Sequence, residues 1–141
     1  MYKRQLEIFV PQENLNTFRK KYPKSIVYSV SELQEIDKNI YLSGQLGTYL
    51  KEQSMYLKTL SNELIVLVGC SHPGLEEILA IGKKLAKITG IIGGLHNLRN
   101  FSCLKDLKLI GACHCTKNSR LIKQQFPEEY KELHVGTSLQ F

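Results

Sequence analysis

Leu64-Ile65-Val66-Leu67-Val68 is apolar at every position and stops at Gly69. That is the pattern of a central strand buried on both faces. Behind it the chain alternates. Pro73 opens a helix at the position where proline is best tolerated. Leu75, Ile78, Leu79, Ile81, Leu85 and Ile88 give that helix a broad apolar face, and Gly90 ends it. Ile91-Ile92 returns as a strand running into Gly93-Gly94, Phe101 to Leu107 reads as a short helix, and Leu109 to Ala112 as the next strand. Ser119 to Phe126 is a helix stopped by Pro127, and Leu133 to Phe141 closes with strand-like residues. Strand and helix in alternation call for an α/β fold, a mixed sheet with helices packed on it.

The first half is built from shorter pieces. Leu6 to Val10, Ser25 to Val30 and Ile40 to Leu42 read as strands, and Asn14 to Tyr22 has helix spacing. Met55 to Leu60 pairs with Leu64 to Val68 through a Ser61-Asn62-Glu63 loop. The 141 residues are one domain's worth of chain. Met1-Tyr2-Lys3-Arg4-Gln5 reads as a non-native sequencing-adaptor scar, which leaves residues 6–141 as the domain.

Bulk properties exclude several function classes. No run of 18 apolar residues and no signal-peptide arrangement occur, so neither a membrane span nor secretion is expected. The net charge of +6 comes from scattered lysines. Arg19, Lys20, Lys21 and Lys24 form the one dense basic group, and without interleaved aromatics it reads as a solvated helix face, not a nucleic-acid surface. The surplus positive field suits a small anionic substrate. Four cysteines in a chain of this size do not make a disulfide framework, so a reduced, cytoplasmic setting is expected.

The chemistry sits where strands end. Gly69-Cys70-Ser71-His72-Pro73-Gly74, Gly93-Gly94-Leu95-His96 and Cys113-His114-Cys115-Thr116 each follow an apolar run, and they hold three of the four histidines and three of the four cysteines. Loops beyond the carboxyl ends of strands are where α/β folds bind ligands. Soft donors gathered there suggest a metal site. The helix after Pro73 should present free N–H groups to an anion and lower the pKa of Cys70. The other reading of this stretch is a Ser71 cap beside an ordinary polar loop. Alternation places Cys113 and Cys115 on one side and His114 on the other, with the thiols packed as small hydrophobes or, less simply, holding a structural zinc. His96 can bind metal, contact substrate or be a surface histidine. Glu52 can add a carboxylate or be an exposed turn residue, and His134 reads as structural.

From about Ile40 to Phe141 the three motifs, in order and spacing, resemble one branch of the metallo-β-lactamase-fold hydrolases. The branch is the one around dihydropterin ribofuranosylaminobenzene-phosphate synthase. The resemblance implies a four-layer αββα sandwich with one or two ions, zinc or another divalent transition metal, between the sheets. It implies metal-ligand roles for His72 and His114, with Cys70 as second choice. It also implies substrate contacts or supporting roles for His96, Ser71, Glu52 and Thr116, and a metal-activated water attacking a phosphorylated or pterin-type substrate. The departures are a missing His-x-His-x-Asp-His, since no histidine precedes His72, with Leu95 in place of Phe and Lys117 in place of Gly. The chain therefore reads as the C-terminal portion of a longer hydrolase. Two histidines alone would hold a metal weakly, which puts hydrolysis by this polypeptide alone in doubt. An exposed sheet face or edge would then pair with the absent half or with a second copy. The rival readings are a non-catalytic pairing remnant and a thiol or structural-zinc protein built on Cys70, Cys113 and Cys115.

Overall fold

The computed structural model describes residues 5–113 and 115–141. The first four residues of the expected adaptor segment and His114 lie outside them. Strand β1 (Glu7–Pro11), helix α1 (Leu15–Lys21) and strand β2 (Ile26–Val30) form a β-α-β unit whose two strands pair in parallel. Strands β3 (Gln34–Asp37), β4 (Ile40–Leu42), β5 (Met55–Lys58), β6 (Leu64–Val68), β7 (Ile88–Gly93), β8 (Leu109–Ala112) and β9 (Tyr130–Glu132) form one seven-stranded sheet in chain order. Pairing is antiparallel from β3 to β6 and parallel from β6 to β9. Helices α2 (Leu75–Gly82) and α3 (Ser119–Gln125) supply the parallel half with its connections, together with a 3-10 turn at Phe101–Leu104.

The α/β expectation holds, and β6 is the buried central strand it should be: Leu64, Ile65 and Val66 are all buried although they alternate between faces. The four-layer sandwich does not appear. Among the described residues one large sheet and one two-stranded sheet are present, not two large facing sheets. Two further readings are corrected. The helix after Pro73 ends at Gly82 instead of Gly90, because Ile88 pairs with Leu64 and is drawn into β7. The final strand is Tyr130–Glu132, not the segment from Leu133, because Ile110 and Ala112 of β8 pair with Tyr130 and Glu132. Strand β3 carries no alternation that would have announced it. Among the described residues, no helix is long and apolar enough to cross a membrane.

The core lies between the sheet and its helices, with Leu64, Val66, Ile91 and Ile110 from the strands meeting Leu75, Ile78 and Ile122 from the helices. Tyr56 of β5 is fully buried there and its hydroxyl donates to the Ile78 carbonyl at 2.9 Å. Gly82 lets α2 lie against that ring, since a Cβ there would stand 2.8 Å from Tyr56 Cε1. Burial first, and the Glu77 charge second, push the Tyr56 phenol well above its ordinary 10.0. A phenol kept neutral in the fold ionises near 10 once unfolded. Its contribution is therefore complete below pH 10 and lost as pH rises above that. Urea midpoints should fall above pH 10 in the parent and fall less in Tyr56→Phe, which loses about 1 kcal/mol at neutral pH.

Candidate metal centre

The loops that follow β6, β7 and β8 meet at one end of the sheet. The Gly94 amide donates to Gly69 O at 2.8 Å, Cys113 N to Gly93 O at 2.9 Å, and Lys117 N to His96 O at 2.9 Å. Ser71 and His96 hold left-handed backbone at φ 56° and 40°. Such conformations persist only where neighbours enforce them. At Ser71 the enforcing contacts are its own hydroxyl, 2.7 Å from Cys70 O and 2.9 Å from Gly94 O. Thr116 is another tie, its Oγ1 accepting from Leu95 N at 3.1 Å. Ser71 and Thr116 therefore position loops. Neither Ser71 nor any other side chain caps α2, whose N-cap is Gly74.

Glu52 reaches this end from a different direction. Its backbone exchanges bonds with Leu46 at 2.8 and 3.1 Å, closing a tight turn in which Gly47 has φ 87°. A Cβ at Gly47 would fall 2.4 Å from Leu50 O, so that turn needs glycine. The carboxylate of Glu52 contacts His72 Nδ1 through Oε1 and accepts from His72 N at 3.2 Å through Oε2. Glu52 is thus half-buried against His72 and not an exposed turn residue. Gln53 reaches elsewhere, donating to Phe9 O at 2.8 Å.

Glu52, Cys70 and His72 offer an oxygen, a sulfur and a nitrogen within 4.8 Å of one another. A first-row divalent ion sits about 2.0–2.3 Å from each such donor, so this mixed set needs little movement to close on one ion. Three protein donors leave one tetrahedral position open. The His96 ring lies 4.6 Å from the His72 ring, tilted 52°, and so beside the donor set. The expected His114 ligand falls outside the described residues.

The Cys70 thiol is raised above its ordinary 9.0, not lowered. Its hydrogen bond to Cys115 is the main cause, followed by burial and by the Cys115 and Glu52 charges. Helix α2 starts only at Leu75 and carries Glu76 and Glu77 in its first turn, so its N-terminus gives the thiol little help. Cys113 and Cys115 do not share a side. Strand β8 stops at Ala112, a turn closed by Thr116 N on Cys113 O follows, and alternation ends with the strand. Cys113 lines a hollow with Tyr130 and His134, while Cys115 lies against Gly94. That proximity of Cys115 to Cys70 is invisible in the sequence.

Beside the donors opens a cleft of about 460 Å³, with His72, His96 and Arg99 among its polar walls and Leu75, Leu95 and Leu98 among its apolar ones. Arg99 lies outside all three sequence motifs. His134 is exposed and bonds through its backbone to Thr137 Oγ1, away from the cleft.

No family model matches the chain. It is 31% identical over 145 aligned positions to a Methanocaldococcus jannaschii protein named 7,8-dihydropterin-6-methyl-4-(β-D-ribofuranosyl)-aminobenzene-5′-phosphate synthase, covering 82% of this chain and 48% of that protein. It is 30% identical over 83 positions to an uncharacterised protein of the same organism, covering 48% of this chain and 32% of that one. The chain thus spans about half the length of the first relative and a third of the second. The first match overturns the hydrolase reading: the relative is named a synthase, and its name carries no hydrolysis, no metallo-β-lactamase fold and no zinc.

Proposed function

We propose that this chain supplies a metal-holding site and an adjoining cleft to an enzyme of the pterin-synthase kind, acting on a phosphorylated, small anionic substrate. The observation that carries the reading is the convergence of Glu52, Cys70 and His72, the last of which also lines the cleft. The substrate class comes from the relative, whose named product joins a dihydropterin to a ribofuranosyl-aminobenzene 5′-phosphate.

Each residue has a defined task. Glu52, Cys70 and His72 hold a divalent transition-metal ion, which when bound supplies a fixed positive charge able to polarise a substrate oxygen. His96 packs beside His72 and limits its ring orientations. Leu75, Leu95 and Leu98, all buried in the core, back the cleft and fix its shape. Arg99 presents a planar fork of donors suited to a phosphate.

The test is a titration of the reduced chain with Co²⁺, followed by binding of a ribofuranosyl-aminobenzene 5′-phosphate. Cobalt should bind with a thiolate charge-transfer band, and the phosphate ligand should bind with it present. Arg99→Ala should weaken the phosphate ligand roughly tenfold, the loss of one charged hydrogen bond, and leave the cobalt spectrum unchanged. A reduced chain that binds no cobalt, or a phosphate ligand indifferent to Arg99, would sink the reading.

A further inference from the structure

Cys70 and Cys115 belong to loops after β6 and β8, which are separated in the sheet by β7. Strands two apart in a sheet are roughly 10 Å from each other, whereas a disulfide needs α-carbons within about 4.4–6.8 Å. These two residues nevertheless come close, because both crowd the same point beside Gly94. The intervening strand allows it. At Gly94, just past β7, an added Cβ would stand 2.1 Å from Cys115 Sγ and 3.3 Å from Cys70 Cα. The sulfur of Cys115 occupies the space that any other residue at position 94 would fill. Both cysteines are only half-buried, so small reagents can reach them.

We propose that Cys70 and Cys115 are a reversible dithiol–disulfide pair that closes over Gly94 and withdraws Cys70 from the Glu52–Cys70–His72 donor set. The oxidant is a low-molecular-weight disulfide. The thiolate of one cysteine attacks it, forming a mixed disulfide and releasing one small thiolate. The thiolate of the other cysteine then attacks the protein sulfur of that mixed disulfide, and the second small thiolate leaves. Two protein thiols are oxidised, one small disulfide is reduced to two small thiols, and the protein's two protons go to the leaving groups. A sulfur engaged in a disulfide is no longer a thiolate donor. The covalent pairing stands on the thiol geometry alone; its effect on metal binding rests on the function proposed above.

The test uses the reduced chain incubated with oxidised glutathione, then alkylated and mapped by mass spectrometry. Two of the four thiols should escape alkylation, and the cross-linked peptides should contain Cys70 and Cys115. Cys115→Ser and, independently, Cys115→Ala should abolish the intramolecular link, while Cys103→Ser should leave it. The oxidised parent should bind Co²⁺ at least roughly tenfold more weakly, within the range that disturbance of a metal site produces, and added reductant should restore binding. A link from Cys113, a link between chains, or four thiols still alkylated would overturn the pairing. A Cys70–Cys115 disulfide with unchanged cobalt affinity would overturn the withdrawal. If the reduced chain fails to bind cobalt while the disulfide forms, the metal reading falls and the dithiol pair stands.

Discussion

His72→Ala is expected to lower Co²⁺ affinity by roughly a hundredfold or more. Removing a group that merely orients a metal ligand already costs about 10–100-fold, and on the proposed function His72 is the nitrogen donor itself. Its loss also takes the ring contact from Glu52, whose carboxylate then keeps only the backbone amide of position 72. Glu52→Gln should cost less, since an amide oxygen can still face the ion. His96→Ala should change affinity only a few-fold, because the ring lies next to the donors and is not one of them. His134→Ala serves as the control, and its affinity should match the parent's. Calorimetric titration gives all four constants. Equal losses at His72 and His134 would show that the ion binds elsewhere.

Gly93→Ala should be the most destabilising conservative change at the sheet's functional end, by about 3 kcal/mol. Gly93 closes β7 at φ 138°, where an L side chain is strained by about 1–3 kcal/mol. Its Cβ would stand 2.1 Å from Val68 O, a backbone atom of the paired strand that cannot swing aside. Overpacking of this kind adds a further 1–3 kcal/mol or so. The strand ends would part, loosening the Gly94–Gly69 and Cys113–Gly93 bonds that gather the loops, so cobalt affinity should fall as well. Gly69→Ala is the informative contrast, because nothing lies within 4 Å of its added methyl and its stability should stay within about 0.5 kcal/mol of the parent. Urea midpoints at constant m distinguish the two.

Strands and helices were legible wherever burial follows period. The uniform apolar run of β6 and the short apolar runs of β7 and β8 gave the parallel half its order. Periodicity misled beyond Gly82, where a helical stripe continues through Leu85 and Ile88 but strand pairing claims Ile88. At the candidate site, motif spacing singled out Cys70 and His72, which the fold brings near Glu52, because a strand end announces itself through glycine and polar residues. Glu52 was legible only as a candidate, since its approach depends on a turn held by Leu46 and Gly47 and on a contact 20 residues away. Arg99 and Cys115 depend on how three loops fold over one another, and no local pattern carries that.

Every strand of the large sheet lies beside its neighbours in sequence. Pairing can therefore advance rung by rung, each step closing a modest loop instead of threading a new strand between two already joined. The β3–β4 and β5–β6 steps span short connections, whereas the β4–β5 step and the three parallel steps close longer ones, and loop-closure entropy favours the short steps first. Glu52 lies in the β4–β5 connection and Cys70 and His72 in the first crossover, so the candidate donor set should assemble only after both of these longer loops have closed.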